Sequence, residues 1–360
     1  MSKEYTSLGL MSGTSGDGVD ASIIRSNGQD EVRILKEKYY EYDEKLFKDF
    51  HNLKKKINST NDLKKFSTAI SNLENNITVF HAKVFKDISS GFNLDLIGFH
   101  GQTIYHNPQE KISLQLGNGN LLSQLSKKKI VFNFRKKDID NGGEGAPLTP
   151  IFHKYIAKSK NLELPVCILN IGGISNLTLV KSFDNYEIFS KDVGPGNCLI
   201  NAWIQTHTKE RFDLDGKISS RGKINEIILE QALEAHENNF QKRNNISLDT
   251  SDFDISFARG LNLEDGTATL TAFSAKILSS KISYVLKDYE KKKIKIIICG
   301  GGRKNTSLIN QIKMNSKKNL SFFNSEDFGL NGDFIESQAF GYLAIRSILS
   351  LPISFPSTTG

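Results

Sequence analysis

Cysteine is scarce in this 360-residue chain. Cys167, Cys198 and Cys299 are far apart, odd in number and without C-x-x-C spacing, which excludes a disulfide framework and a structural zinc site. Long apolar runs are lacking too. The longest, IKIIICGGG at 294–302, is far short of the roughly 20 residues a bilayer span needs, and the opening MSKEYTSLGL has no apolar core of a secretory signal. No membrane partner is expected, and a reducing cytoplasm is the natural compartment. A dominant charge is missing as well, because 47 Lys and Arg face 40 Asp and Glu for a net +7. The lysines fall in short runs, at 54–56, 127–129 and 291–293, few of them interleaved with aromatics that could stack on bases. Such runs read as solvated faces, and no nucleic-acid partner is expected. What remains is the composition of a soluble globular protein, 38% apolar and 24% charged, long enough for two domains.

One more thing is lacking where it would be looked for. The stretch LGLMSGTSGDGVDASII (8–24) resembles a phosphate-binding loop without the lysine of G-x-x-x-x-G-K-[ST]. Val19, Ile23 and Ile24 continue an extended pattern where a helix would have to start, so the stretch reads as a hairpin around a turn. VCILNIGGISNLTLV (166–180) repeats the arrangement, and KIIICGGGRKN (295–305) is a strand, then glycines, then the helical pattern SLINQIKM. Two similar hairpins half a chain apart suggest two related domains, each opening on a hairpin.

Between the hairpins, Leu63, Phe66, Ile70, Leu73, Ile77, Phe80, Val84 and Ile88 recur in steps of three and four. They predict one helix from Asn61 to about Ile88, capped by Gly91. Its exposed face is available for a homodimer. Further helices are predicted over 223–240, 267–289 and 333–351, and strands over 94–99, 112–116, 129–134 and 294–299. This alternation is that of an α/β protein with helices packed on sheets. DNGGEGAPLTP at 140–150 is the best candidate for a crossover between domains.

The glycine turns also carry the candidate chemistry. In SGTSGDGVD, glycines let backbone N–H groups approach an anion, and Thr14 and Ser15 add hydroxyls, so the turn makes an anion nest with no lysine. Asp17 and Asp20 suit such a site once Mg²⁺ accompanies the phosphate. A plain hairpin turn is the alternative, since Asp17-Gly18 is a favoured turn dipeptide. In DVGPGN (192–197), Asp192 stands beside a stiff Gly-Pro-Gly turn, a good place for a catalytic base; a cap for the helix NCLINAWI is the alternative. NIGGISN (170–176) can hold phosphate through its backbone. GGGRKN (300–305) opens a helix whose N-terminus can take an anion or let a flat ring lie on bare backbone.

Together, and in this order, the motifs resemble the superfamily of sugar kinases, actin and heat-shock ATPases. Within it the chain is similar to the 1,6-anhydro-N-acetylmuramic acid kinases, through GLMSGTSGDGVDAS, GFHGQTIYHNP, LQLGNGNLL, FRKKDIDNGGEGAPLTPIFH, LNIGGISNLT, DVGPGNCLINAW, TATLTAFSA, CGGGRKN and GDFIESQAFGYLA. The resemblance implies two actin-like (ribonuclease H-like) domains with mixed sheets flanked by helices and a cleft between them. One lobe would be 1–138 with 338–360, the other 139–337. It implies a kinase that uses ATP and Mg²⁺ to open the anhydro ring of 1,6-anhydro-N-acetylmuramic acid and phosphorylate O6 in cell-wall recycling.

By the same resemblance, Gly13, Thr14, Ser15, Gly16, Asp17, Gly18, Val19 and Asp20 cradle phosphates, with the metal at Asp17. Asn170, Gly172, Gly173, Asn176, Gly194, Gly196 and Asn197 face the nucleotide from the other domain, and Gly300, Gly301, Gly302 and Asn305 back the adenosine. Asp192 is the base that deprotonates water. Glu336 is a second carboxylate, unless with Asp333 it forms only a capping box. His100, Gln102, Thr103 and Arg135 contact the sugar and its lactyl carboxylate. The sequence departs from the family pattern at Gly16, which replaces a leucine and should loosen the turn, at Asn133 in place of Asp, at Glu144 in place of Gln, and in NNISLDTSDFD (244–254), which lacks an expected proline pair. Two rival readings are an ordinary hexose or amino-sugar kinase acting on a free hydroxyl, and a non-catalytic ATP-binding regulator.

Overall fold

The computed structural model describes residues 3–240 and 247–360. It holds two mixed sheets flanked by helices. The first contains β1 (Tyr5–Ser12), β2 (Gly18–Ser26), β3 (Val32–Glu41), β4 (Leu96–Asn107), β5 (Ile112–Leu116) and β6 (Lys129–Val131) in the order β3-β2-β1-β4-β5, with β6 also on β4. β1 and β2 form the antiparallel hairpin, β3 extends it, and β4 lies parallel on the other side of β1. The second sheet contains β7 (Val166–Ile171), β8 (Ile174–Val180), β9 (Ile188–Pro195), β10 (Ile294–Cys299) and β11 (Leu320–Asn324), in the order β11-β10-β7-β8-β9. Here β7 and β8 are the antiparallel hairpin and β10 lies parallel to β7. The two sheets therefore repeat one plan: a hairpin whose first strand is central, a third strand beyond it, and a parallel strand on the opposite flank.

Each sheet belongs to one of two compact units. One comprises Met1–Leu162, Phe183–Ile188 and Asp333–Gly360, the other Glu163–Ser182 and Phe189–Gly332. In the first, the helix Ile335–Ile348 lies directly on the sheet. A Cβ on Gly9 would sit 1.8 Å from Ser337 O, and one on Gly98 2.3 Å from Phe340 O, so only glycine allows this approach. The Ser22 and Ser337 hydroxyls bond across the contact at 2.6 Å. Neighbours of Gly9 point to the other face by strand alternation, where Leu8 and Leu10 join Leu73, Ile77, Val84 and Ile88 of the helix Ser67–Ile88. In the second unit, β7 is buried along its whole length and β10 nearly so, as central strands covered on both faces must be.

The helix predicted from Asn61 to Ile88 is two helices, Thr60–Lys65 and Ser67–Ile88, broken at Phe66 (φ −102°, ψ 19°). The apolar stripe runs on through the break, so periodicity alone does not show it. The second helix ends on Ser89, and Gly91, at φ +85°, lies beyond the cap. The predicted 223–240 segment is helical from Glu226, after Asn225 accepts the Ile228 N–H; the Phe240 side chain lies outside the described residues. The 267–289 helix starts earlier, at Leu263, because Asn262 caps it by accepting from Asp265 N. The strand predicted at 94–99 continues to Asn107 through Gly101 at φ +76°. β6 stops short of 134, where Asn133 turns left-handed at φ +56°, a conformation Asn tolerates. Among the described residues, no helix is long and apolar enough to cross a membrane.

Candidate active site

In the first unit the hairpin turn between β1 and β2 is closed by the Gly16 N–H donating to Gly13 O at 3.1 Å. Gly16 sits at φ +61°, and a Cβ there would meet Phe50 Cε1 at 2.2 Å. The looser turn expected from a glycine here is thus filled from outside by a buried ring. Gly18 is confined by Tyr40 O and the Tyr39 ring, whereas a Cβ on Gly13 would meet nothing closer than 3.8 Å. Thr14 and Asp17 are half-buried and Ser15 is exposed. The Ser15 hydroxyl donates to Asp17 Oδ1 at 2.7 Å. Val19 is fully buried core, and Asp20 is paired with Met11 in the ladder.

β4 delivers its candidates to the same end of β1. Gln102 donates through Nε2 to Gly13 O at 2.8 Å, and its Oε1 is buried with no protein partner among the described residues. His100 Nε2 lies 2.9 Å from Arg135, and His100 Nδ1 lies 2.7 Å from Gly101 O. Guanidinium only donates and a carbonyl only accepts, so His100 carries its proton on Nδ1. Burial, reinforced by the Arg135 charge, holds its pKa well below the ordinary imidazole value. Arg135 also donates to Gly145 O at 2.7 Å, and Asp138 accepts the Gly145 N–H at 2.8 Å. Gly145, next to Glu144, is therefore gripped at both its backbone groups. Asp138 further accepts from Ser354 and Thr359, and Thr359 O accepts from the Glu144 N–H at 2.7 Å. Thr103 accepts from Gln115 at 3.3 Å.

Glu336 is half-buried in the first turn of Ile335–Ile348. That helix has Phe334 as its N-cap with no side-chain cap bond. The Asp333–Glu336 pair read from the sequence as a capping box straddles this start, with Asp333 one residue before the cap position.

In the second unit the three glycine turns converge. The N–H groups of Gly196 and Cys198 donate to Gly173 O, and that of Asn197 donates to Gly172 O at 2.8 Å. A Cβ on Gly196 would lie 2.3 Å from Gly172 O. One on Gly302 would lie 2.2 Å from Ile171 Cγ2 and 3.0 Å from Asn197 Nδ2, and one on Gly300 2.3 Å from Asn170 Oδ1. Gly194, at φ +141°, presses on Ile277. Gly301 is exposed and open, with nothing within 4 Å of a Cβ. At the hairpin β7–β8, Ser175 Oγ and Asn176 Oδ1 are buried polar atoms with no protein partner among the described residues.

The glycines after β10 do not open the helix directly. They form a 3₁₀ turn, Gly301–Lys304, and the α-helix Thr306–Asn315 begins after Asn305, whose side chain caps it by accepting from Leu308 N at 3.0 Å. Three glycines in a row leave the backbone too free to fix a helix start, so the capping Asn sets it. Asp192 lies inside β9, three residues before Pro195. The following helix, Cys198–His207, has Asn197 at its N-cap, so Asp192 is not that cap. Its Oδ2 accepts the Leu248 N–H at 2.7 Å. Residues 244–246 of the proline-poor segment lie outside the described residues.

Two supports were not legible as site residues. Arg303 is buried, donates to Gly300 O at 2.9 Å and forks onto Glu326 at 2.6 and 2.9 Å, bracing the third glycine turn. Burial tends to raise the Glu326 pKa, but the Arg303 hydrogen bonds, backbone N–H donors and the Arg303 charge together lower it. An Arg directly after three glycines was the available signal. Asp138, which ties the 143–145 loop to the chain's last residues, had none.

Residues 5–360 match the family described as anhydro-N-acetylmuramic acid kinase, and the chain belongs to that family. A relative from Pelagibacter ubique named anhydro-N-acetylmuramic acid kinase is 52% identical over 361 residues, covering 100% of this chain and 96% of the relative. Relatives of the same name from Zymomonas mobilis and Agrobacterium fabrum are 36% and 33% identical, covering 98% and 100% of this chain and 96% of each relative.

Proposed function

We propose that the protein is an ATP-dependent kinase of peptidoglycan recycling that opens 1,6-anhydro-N-acetylmuramic acid and phosphorylates it at O6. The observation that carries the reading is the gathering of the turns 172–173, 194–197 and 300–302 in one unit, with Asp192 two residues before the Gly194 turn. Kinase chemistry asks mainly for positioning and charge neutralisation of phosphates, and bare backbone turns provide both.

The residues fit a nucleotide. Open backbone at Gly13 and Gly301 leaves room for close contact, and buried Ser175 Oγ and Asn176 Oδ1 have hydrogen-bonding capacity to spare. In the first unit, the turn Gly13–Gly16 binds phosphate oxygens with Asp17 at the metal, while Val19 is core and Asp20 sits in the ladder behind it. In the second, Asn170, Gly172, Gly173 and Asn176 face the phosphates, Gly194, Gly196 and Asn197 shape the nucleotide side of the same turn, and Gly300–Gly302 take the adenosine against bare backbone. Asn305 acts there through the helix it caps. The metal donor set is one carboxylate, Asp17; among the described residues no group of three His, Cys, Asp or Glu could hold an ion unaided. That suits Mg²⁺, which keeps several waters and takes one or two carboxylates plus phosphate oxygens. When bound, Mg²⁺ neutralises charge on the transferring phosphoryl group.

The substrate bridges C1 and O6, so it offers no free 6-hydroxyl. Water attacks C1 and gives its proton to Asp192, the C1–O6 bond breaks, and O6 takes the γ-phosphoryl as ADP leaves. Glu336 orients the water or sugar. Neutral His100, with Gln102, Thr103 and the charged Arg135, contacts the sugar, Arg135 through N–H groups beyond those given to Gly145 and His100. The chain works in the cytoplasm on this small molecule, as a homodimer if the outer face of Ser67–Ile88 pairs. Incubation with the anhydro sugar and Mg-ATP in ¹⁸O-water tests the reading: the 6-phosphate must form with label at C1. Phosphorylation without label points to an ordinary hydroxyl kinase, and nucleotide binding without product to a regulator.

A further inference from the structure

The turn between β1 and β2 is held at both ends by one residue outside it. The Tyr42 N–H donates to Asp17 O at 2.9 Å, and Asp17 is the last residue before β2. The Tyr42 hydroxyl lies 3.0 Å from Ser12 Oγ, and Ser12 is the last residue of β1. Behind Ser12, His81 Nε2 lies 3.1 Å from the same Oγ, and His81 Nδ1 lies 2.8 Å from Ile77 O. Ser12, Tyr42 and His81 are 1%, 2% and 0% exposed, and Phe80 packs edge-on against the Tyr42 ring at 5.0 Å.

Chemistry fixes every proton in this cluster. Ile77 O only accepts, so His81 carries hydrogen on Nδ1. Burial pushes its pKa down to about 4, which leaves Nε2 bare. Ser12 must then donate to His81, and Tyr42 must donate to Ser12. The donors run one way, from Tyr42 through Ser12 to His81, and Ser12 Oγ has one position that satisfies both neighbours. None of the three side chains reaches solvent. What they set is the separation of Ser12 from Asp17, and with it the shape of Gly13–Gly16.

We infer that Tyr42, acting through Ser12 with His81 behind it, is a positioning residue for the phosphate turn. The inference rests on the reading of Gly13–Asp17 as a phosphate site, and adds to it the buried cluster that sets the turn's geometry. Tyr42→Phe keeps the ring and the backbone bond to Asp17 and removes only the hydroxyl. The expected result is cooperative unfolding as in the parent and a kcat/KM for ATP about tenfold lower, the scale of one hydrogen bond, with an unchanged KM for the anhydro sugar. His81→Leu should reproduce that pattern, while His81→Gln, which restores an acceptor for Ser12, should return ATP kinetics to within about twofold. A purely structural cluster would lower the unfolding midpoint and leave both KM values alone, and that result overturns the inference. Parent protein that binds no ATP would instead overturn the functional reading and this inference with it. An active parent whose ATP kinetics ignore Tyr42→Phe and His81→Leu overturns the inference alone.

Discussion

The Leu248 N–H donates to Asp192 Oδ2 over 2.7 Å, tying the carboxylate in β9 to a segment 56 residues further along the chain. A carboxylate held by main chain keeps its direction without relying on a flexible side-chain partner. An amide can accept the same bond but cannot take a proton. Asp192→Asn is therefore expected to lower kcat by about a thousandfold or more, while binding of an ATP analogue stays within a few-fold. Calorimetric binding and steady-state turnover check both halves, and near-normal turnover would remove Asp192 as the base.

Gly301 and Gly302 are neighbours with opposite surroundings. A Cβ on Gly302 runs into Ile171 Cγ2 at 2.2 Å, but one on Gly301 meets nothing within 4 Å. Gly302→Ala should cost about 1–3 kcal/mol of stability and raise the KM for ATP. Gly301→Ala should leave the melting temperature unchanged and raise only the KM for ATP, since a flat ring resting there would lose its close approach. Thermal denaturation beside nucleotide kinetics separates the two.

Gly16→Ala faces two penalties, the left-handed φ of +61° and the Phe50 ring 2.2 Å away. A loss of about 1–3 kcal/mol is expected. In a Phe50→Ala background the ring clash is gone, so Gly16→Ala should cost less there. A four-member cycle of denaturant unfolding midpoints measures the difference, and full additivity would mean the ring exerts no constraint.

Burial lowers the pKa of three histidines in the first unit: His81 to about 4, His153 to about 3, and His100 well below its ordinary value. The unfolded chain takes up these protons near pH 6.5, and the native state does not. Stability from them is complete above pH 6.5 and is lost as pH falls toward the native values. Between pH 7.5 and 5.5 each should cost about 1 kcal/mol. Urea unfolding at the two pH values checks this, and an equal free energy at both would refute it.

Asp17 is the only carboxylate within the turn itself, and its partner there is the Ser15 hydroxyl. Asp17→Asn should raise the Mg²⁺ concentration for half-maximal activity about tenfold and leave the melting temperature unchanged. Titration of activity with the metal after chelation is the measurement.

Much of this architecture could be read in the residues because local chemistry and the fold agree. The hairpin at 8–24 and its copy at 166–180 stand where β-branched runs flank glycine, and β10 matches its predicted limits residue for residue. Elements went astray where a tertiary partner or a cap decides. The break at Phe66 is hidden by an unbroken apolar stripe, and the start of Thr306–Asn315 is set by the Asn305 side chain rather than by the glycines before it. Of the proposed site, the backbone turns were visible as glycine and the candidate Asp192 as a lone carboxylate among them. Their supports, Tyr42, His81, Arg303 and Asp138, were not, because a buried polar residue in a helix or strand looks like any other until its partner across the fold is known.

Gly9 and Gly98 accept a helix that the chain supplies only at Ile335–Ile348. During synthesis, β1 and β4 must therefore wait, one face uncovered, until residues 335–348 have been made. The second unit has its full complement of residues by Gly332 and can close first, reversing the order of synthesis. Loss of residues 335–348 thus strikes the first sheet, and chaperone demand should concentrate on the interval before they are made.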